Sequence, residues 1–245
     1  MNFYLLRLSY DGVDFYGCAK QPYVRTVQDQ IEKVLRKLFN EPTIEVVFAG
    51  RTDKGVHAIN QACSFGIENK SKYSCHHITF ILNKLLPPDI RIKGCQAKHG
   101  FFNARFDCKE RSYIYYLELK PHNIFCRNYV FAYDHNINFK NLKETAKIFM
   151  GEHNFLSYST SELSNTTRNI TKFSVTKVKP NLIKFHITAN GFLRSQIRMM
   201  IGCLLKYNEQ KLTKDDLLNL LDHPHKGKAI FKVSATGLYF ANAKY

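Results

Sequence analysis

Tryptophan is absent from the 245 residues of this chain, and no run of about 18 apolar residues occurs. The missing apolar run argues against a transmembrane helix and against a membrane partner. None of the seven cysteines stands in a Cys-x-x-Cys pair, which argues against a zinc finger or a disulfide framework. The first residues, Met1 to Tyr4, lack the basic region and the cleavage site of a signal peptide. We therefore expect a cytoplasmic protein with reduced thiols.

Acidic residues are scarce: 20 Asp and Glu stand against 36 Lys and Arg, so the net charge is +16. The hydrophobic content of 44% excludes a disordered polyelectrolyte. A positive charge of this size attracts polyanions, and the 14 Tyr and 19 Phe residues include rings that could stack on unpaired bases. The composition favours nucleic-acid binding over an acidic or membrane surface, and over lysines that are merely solvated.

The first 104 residues alternate predicted strands and helices. Thr26 is the expected N-cap of an amphipathic helix, and Pro87-Pro88 ends a second helix. The predicted strands cover residues 2–10, 44–49, 59–67 and 90–98, and the second helix covers residues 76–86. This order predicts a ferredoxin-like or RRM-like split βαβ unit with an antiparallel sheet.

Residues 105–245 show the same mixture of elements. The strands are predicted at residues 111–120, 169–178, 182–189 and 236–241, and the helices at 140–150, 192–207 and 215–221. The predicted fold class is therefore α+β, with two tandem split βαβ units. We place the domains at residues 1–104 and 105–245.

The loop at residues 50–58, with the sequence GRTDKGVHA, is the most informative stretch. Its two glycines allow a sharp bend or a close approach to a ligand. Arg51 and Lys54 flank Asp53, and neighbouring cations favour an ionised carboxylate. Such a carboxylate can act as a nucleophile or a base, whereas the two cations disfavour a bound metal. The spacing fits equally well an Asp that caps the loop and pairs with Arg51.

Residues 50–58 resemble the signature of the TruA family of tRNA pseudouridine synthases, with one free position. Further stretches resemble the family's sequence in the same order. They are Tyr10-Asp11-Gly12, Thr26-Val27-Gln28, Leu86-Pro87-Pro88, Arg111-Ser112-Tyr113, the segment from Phe192 to Gly202, and Thr236-Gly237-Leu238. The resemblance covers nearly the whole chain.

The resemblance implies the pseudouridine synthase fold, with an active-site cleft between the two units. It implies an isomerase that converts uridine to pseudouridine at positions 38, 39 and 40 in the anticodon stem-loop of tRNA. The uracil leaves through N1 and rejoins through C5, so the reaction requires no cofactor and no metal. Members of the family are homodimers, and we therefore expect a homodimer that binds tRNA.

By resemblance, Asp53 is the catalytic nucleophile, which acts on the base, on the sugar carbon or on a sugar proton. Tyr113 lies against the target uracil, where it stacks or transfers a proton. Arg51 fills the space that a flipped uridine leaves, and Arg198 pairs with Asp53. Leu238 packs against the uracil. Without the resemblance, the pattern makes Tyr113 and Leu238 core residues, and makes Arg198 a phosphate contact or a solvated residue.

Two positions depart from the family pattern, since Cys18 stands where Trp is usual and Gln196 where Met or a similar residue is common. Two other functions fit parts of the sequence. A basic RNA-binding protein without activity explains the charge and the split βαβ pattern, but not why Asp53, Tyr113 and Arg198 occur together. A pseudouridine synthase that acts on another RNA fits the same residues.

Overall fold

The computed structural model describes residues 1–69 and 71–245, which pack as two units. The first unit contains Met1–Arg111 and Tyr239–Tyr245, and the second contains Ser112–Leu238. Helices and strands occur in both units, which confirms the α+β class. Within the described ranges, no helix is both long and apolar enough to cross a membrane.

The strands and helices have the following bounds. The strands are β1 (Asn2–Tyr10), β2 (Val47–Phe48), β3 (His57–Ile67), β4 (Ile90–Lys98), β5 (Glu110–Leu119), β6 (Phe131–Tyr133), β7 (Gly151–Asn154), β8 (Thr167–Lys179), β9 (Leu182–Ala189) and β10 (Leu238–Lys244). The α-helices are α1 (Val27–Phe39), α2 (Cys75–Leu85), α3 (Phe139–Thr145), α4 (Gln196–Asn208) and α5 (Lys214–Asp222). Two short 3-10 helices cover Ile124–Cys126 and Ala146–Phe149.

The packing units divide later in the chain than residues 104 and 105. Arg111 belongs to the first unit because its Nε donates to the carbonyl of Ala49 at 3.0 Å and its Nη1 donates to that of Cys108 at 2.8 Å. The division of the chain into domains at 104 and 105 stays a prediction.

The first unit contains an antiparallel sheet with the strand order β4-β1-β3-β2. The β1–β3 register runs from Asn2 opposite Ile67 to Tyr10 opposite Ala58. β10 lies parallel to β3, with Tyr239 opposite His57. Strands in this order, connected by α1 and α2, form a split βαβ unit. That the two units form a tandem pair of such motifs stays a prediction.

Helix α1 begins where the sequence predicts. Thr26 is the N-cap, and its Oγ1 accepts the N–H of Asp29 at 3.4 Å. Val27, Ile31 and Leu35 recur at helical spacing and are buried against the rest of the unit. The amphipathic pattern therefore fixes which face of α1 is buried.

A buried carboxylate shortens the strand that follows α1. Glu32 accepts the N–H of Val46 at 3.0 Å and pairs with Arg36 at 2.9 Å. The Nε of Arg36 in turn donates to the carbonyl of Ile44 at 2.9 Å. Because these backbone groups bond to α1, the strand predicted at 44–49 is limited to β2.

The second unit has the strand order β5-β9-β8-β7, with β6 parallel to β5. β8 and β9 form the predicted hairpin around Pro180 and Asn181. Phe173 stacks on Phe149, which meets Tyr158 edge to face, and all three are buried. These rings form part of the core on the inner face of the hairpin.

Four elements of the second unit differ from the sequence-based prediction. α4 begins at Gln196 and not at 192, because Ser195 has a left-handed backbone with φ 63° that interrupts the helix. The helix predicted at 140–150 is α3 followed by the 3-10 helix Ala146–Phe149. β6 and β7 have only three and four residues, too few for an alternating pattern to be recognised.

We predict that Glu32→Ala destabilises the protein. The substitution removes the acceptor of the Val46 N–H and the partner of Arg36, and breaking a buried ion pair lowers the unfolding free energy by about 2 kcal/mol or more. Urea denaturation measures the change. Glu144→Ala is the matched control, because Glu144 pairs with Lys147 on an exposed surface, and it should leave the stability unchanged. Equal losses in the two variants would contradict the structural role of Glu32.

Candidate active site

The Asp53 loop (residues 49–56) joins β2 to β3 and is anchored through Thr52. The Thr52 hydroxyl lies 2.8 Å from that of Tyr10, with which it shares a hydrogen bond. The Thr52 carbonyl accepts the N–H of Cys18 at 3.3 Å. Asp53 follows as a half-buried residue, while Arg51 before Thr52 is exposed. The backbone is thus fixed directly before the candidate catalytic carboxylate.

Cys18, the departure from the family pattern, contributes to this anchor. It is fully buried, and burial raises the pKa of its thiol. Its Sγ accepts the N–H of Thr52 at 3.1 Å and lies 3.7 Å from the carbonyl of Gly50. A small residue with an acceptor atom therefore completes the packing beneath the loop.

A glycine permits the close approach of the two chain segments. Gly17 has φ +100°, a conformation that L-residues rarely adopt, and a Cβ there would lie 2.5 Å from the carbonyl oxygen of Thr52. The backbone of Gly17 and the backbone of Thr52 can pack together only without a side chain at position 17.

The loop is also held on the other side of Asp53. The carbonyl of Asp53 accepts the N–H of Val56 at 3.2 Å, and Gly55 donates to the carbonyl of Phe15 at 3.3 Å. The Nζ of Lys54 lies 3.8 Å from the centroid of the Tyr16 ring, within cation–π range. Contacts on both sides therefore limit the positions that the Asp53 side chain can take.

His57 supports the end of the loop from within the unit. It is 2% exposed, its Nδ1 accepts the N–H of Gly12 at 3.0 Å, and its ring stacks on Tyr239 at 4.7 Å. Neither His57 nor Tyr10 was predicted as a site residue from the sequence. Both residues lie in the stretches that resemble the family, and this position was the one sequence feature that could have pointed to them.

The second unit carries the other three candidate residues. Tyr113 is on β5, is 7% exposed and meets Phe192 edge to face, with ring centroids 5.2 Å apart. Arg198 lies in the first turn of α4, and Leu238 begins β10 and is buried. The structure therefore groups Tyr113, Arg198 and Leu238 in one unit and Arg51 and Asp53 in the other. The pairing of Arg198 with Asp53 stays a prediction.

Arg198 joins α4 to the segment that leads into β10. Its Nε donates to the carbonyl of Val233 at 2.8 Å, and the N–H of Val233 donates back to the carbonyl of Arg198 at 3.2 Å. The hydroxyl of Tyr115 donates to the carbonyl of Ser234 at 3.0 Å. Burial raises the pKa of Tyr115 well above its usual value, and the nearby positive charge of Arg198 opposes this shift.

Gly202 permits this segment to lie directly on α4. A Cβ at position 202 would lie 2.3 Å from the carbonyl oxygen of Phe231. Arg198 and Gly202 are one helical turn apart and therefore lie on the same face of α4. On this face, Arg198 bonds to Val233, and Gly202 lets the backbone of Phe231 approach the helix. Across the residues that the structure describes, no group of three or more His, Cys, Asp or Glu side chains is arranged to hold a metal.

The chain matches a protein family described as tRNA pseudouridine synthase over residues 8–107 and 145–245. It is 38% identical to tRNA pseudouridine synthase A of Malacoplasma penetrans over 99% of both chains. Proteins of the same name from Mycoplasma genitalium and Dictyoglomus thermophilum are 34% and 35% identical, over 99% and 98% of this chain and 98% of each relative.

Among solved structures, the chain is similar to one in the crystal structure of a Cbf5-Nop10-Gar1 complex, with a TM-score of 0.40 and 9% identity. The match covers 98% of this chain and 57% of that chain.

We predict that Gly17→Ala destabilises the first unit. The added methyl group would press on the Thr52 carbonyl in an unfavourable backbone conformation, which should cost at least about 2 kcal/mol of unfolding free energy. Urea denaturation measures the loss. Gly94→Ala in β4 is the matched control, because a methyl group there meets no described atom within 4 Å. Similar stabilities of the two variants would show that the close approach does not anchor the loop.

Proposed function

Because this chain belongs to the tRNA pseudouridine synthase family, we propose that it modifies uridines 38, 39 and 40 in the anticodon stem-loop of tRNA. The enzyme is an isomerase, since uridine and pseudouridine contain the same atoms. Identity over nearly the full length to proteins named tRNA pseudouridine synthase A supports the proposed substrate.

The reaction exchanges one bond to the ribose for another. The bond from C1′ to N1 of uracil breaks, and a bond from C1′ to C5 forms. C5 loses its proton and N1 gains one, so the atoms and electrons balance without an external reagent. A carboxylate beside the nucleoside could attack C1′, add to the base or remove a sugar proton. Asp53 is the carboxylate that we assign to this step.

The anchored backbone on both sides of Asp53 is the observation that carries the assignment. Hydrogen bonds through Thr52 precede the carboxylate, and a bond from Val56 follows it. A group held in this way loses little conformational freedom when the substrate binds, which lowers the cost of reaching a reactive geometry. The half-buried position of Asp53 leaves it accessible to a nucleotide.

The other candidate residues take roles that suit their chemistry. A uridine stacked in RNA must flip out before it reacts, at a cost of a few kcal/mol. The exposed, cationic Arg51 suits the space that the base vacates. Tyr113 and Leu238 supply an aromatic ring and an apolar surface for the uracil, and Arg198 supplies a positive charge that orients the carboxylate.

The charge of the chain suits a tRNA partner. A net charge of +16 favours phosphate contacts, and recognition of tRNA then depends on its backbone and shape. We propose that the protein acts as a homodimer and in the cytoplasm. A basic RNA-binding protein without activity, or an enzyme that modifies another RNA, is distinguished from this proposal by the experiment below.

We predict that Asp53→Asn abolishes pseudouridine formation. The amide keeps the shape of the side chain but is neither a nucleophile nor a base, so turnover should fall about a thousandfold or more while tRNA affinity is retained. Pseudouridine is mapped in an unmodified tRNA transcript after incubation with each protein.

Asp14→Asn is the matched control, because Asp14 is an exposed carboxylate in the same unit, and this variant should map like the wild type. Turnover by Asp53→Asn would refute the nucleophile assignment. Tight binding without any pseudouridine from the wild type would identify a binding protein or a different RNA substrate.

We predict that Tyr113→Phe lowers the single-turnover rate constant about a hundredfold and leaves tRNA affinity unchanged. Only the hydroxyl is lost, so the ring still packs against the base while proton transfer by the phenol is removed. Single-turnover kinetics and a filter-binding assay measure the two quantities separately. Normal turnover would limit Tyr113 to packing, and a parallel loss of affinity would show that the hydroxyl contributes to binding.

A further inference from the structure

Tyr23 has an unusual conformation for a bulky aromatic residue. Its φ is +62°, in the left-handed region, and its side chain is fully exposed. Within residues 1–69 and 71–245, the Tyr23 side chain forms no hydrogen bond, ion pair or ring contact. No such contact therefore offsets the free-energy cost of the left-handed backbone or of the exposed ring. Strain of this kind concentrates at functional sites.

The surrounding loop imposes the conformation. Pro22 and Tyr23 form a turn, in which the left-handed position is usually taken by Gly or Asn. The N–H of Tyr16 donates to the carbonyl of Arg25 at 3.0 Å and closes the base of the loop. Gln21 Nε2 donates to the carbonyl of Tyr16 at 2.6 Å. These hydrogen bonds therefore restrain the backbone of the loop that carries the exposed Tyr23 ring.

The base of this loop packs on the Asp53 loop. Gly17 and Cys18 contact the backbone of Thr52, and Lys54 lies over the ring of Tyr16. Tyr23 is thus displayed on a segment that is held directly against the candidate catalytic loop, and both belong to the first unit.

Cations accompany the exposed ring. Lys20 and Arg25 are in the same loop, and Lys54 is in the neighbouring one. Lys20 and Lys54 are exposed; Lys20 lies 3.5 Å from the carboxylate of Glu32, and Arg25 forms a closer ion pair with Asp89 at 2.6 Å. An exposed ring beside exposed lysines is the combination that binds unpaired nucleotides, because the ring stacks on a base and the lysines contact phosphates.

We propose that the ring of Tyr23 stacks on an unpaired base of the RNA substrate, beside the uridine that Asp53 modifies. This inference rests on the proposed function, since it takes tRNA as the ligand. Tyr23 is a substrate-binding residue in this role and takes no part in the exchange of bonds.

The decisive variant is Tyr23→Asn, because Asn tolerates the left-handed conformation and keeps the turn while it removes the aromatic ring. The affinity for an anticodon-arm hairpin should fall about tenfold or more. The affinity for a fully paired duplex of the same length, which offers no unpaired base, should change less than about twofold. Tyr23→Phe should bind both RNAs like the wild type.

Phe80→Ala is the matched control, because Phe80 is a 58% exposed aromatic residue on α2 in the same unit, and it should leave both affinities unchanged. Fluorescence anisotropy measures the affinities, and thermal unfolding shows whether Tyr23→Asn is folded, with an equal or higher Tm expected. An unchanged hairpin affinity, or an equal loss for hairpin and duplex, overturns the proposal.

If the anticodon arm is not the substrate, the experiments give a different result. In that case the wild type forms no pseudouridine in the anticodon arm, while the ratio of hairpin to duplex affinity still reports whether Tyr23 stacks on unpaired bases. A changed ratio with no modification would retain Tyr23 as an RNA contact and reject the substrate.

Discussion

The geometry of the first unit depends on the packing of the chain around Thr52. Its hydroxyl, its N–H and its carbonyl all form hydrogen bonds, to Tyr10 and Cys18. Displacing the loop would break these bonds together, and each buried group left without a partner costs about 1–3 kcal/mol. The backbone next to Asp53 is therefore held by several hydrogen bonds, although it lies in a loop. The acceptor at position 18 belongs to this constraint, because Cys offers a sulfur acceptor whereas the indole of Trp only donates.

In the second unit, the segment before β10 depends on α4 in a comparable way. Arg198 bonds to Val233 through both its side chain and its backbone, and Gly202 lets Phe231 approach the helix closely. A guanidinium carries five N–H donors, so one bond from Nε orients its plane without exhausting its capacity. The same contacts that position Leu238 at the end of the segment therefore orient the charge of Arg198. The turn of α4 from Arg198 to Gly202 therefore determines both the packing of this segment and the orientation of the Arg198 charge.

Local signals in the sequence predicted most of the elements but few of the contacts. The start of α1 was predictable because the N-cap Thr26 and the apolar spacing act within a few residues. The short extent of β2 was not, since it follows from the bond of Val46 to the buried Glu32 on another element. The loop around Asp53 was recognisable from its local sequence, but its spacing fitted a structural Asp equally well, and the assignment of Asp53 as the nucleophile rests on the resemblance to the family. The support from Tyr10 and His57 was missed because those contacts join residues more than 40 positions apart.

The second departure from the family pattern, Gln196, shows how the start of α4 balances two costs. The residue is fully buried, and its Oε1 accepts the N–H of Leu193 at 2.8 Å. Its Nε2 is buried and has no hydrogen-bond partner among the residues described here, which is unfavourable. A Met would avoid that cost and fill a similar volume, but it would leave the Leu193 N–H without this acceptor. Gln196 therefore supplies an acceptor for the Leu193 N–H directly before the left-handed Ser195, and the cost is one unsatisfied amide nitrogen.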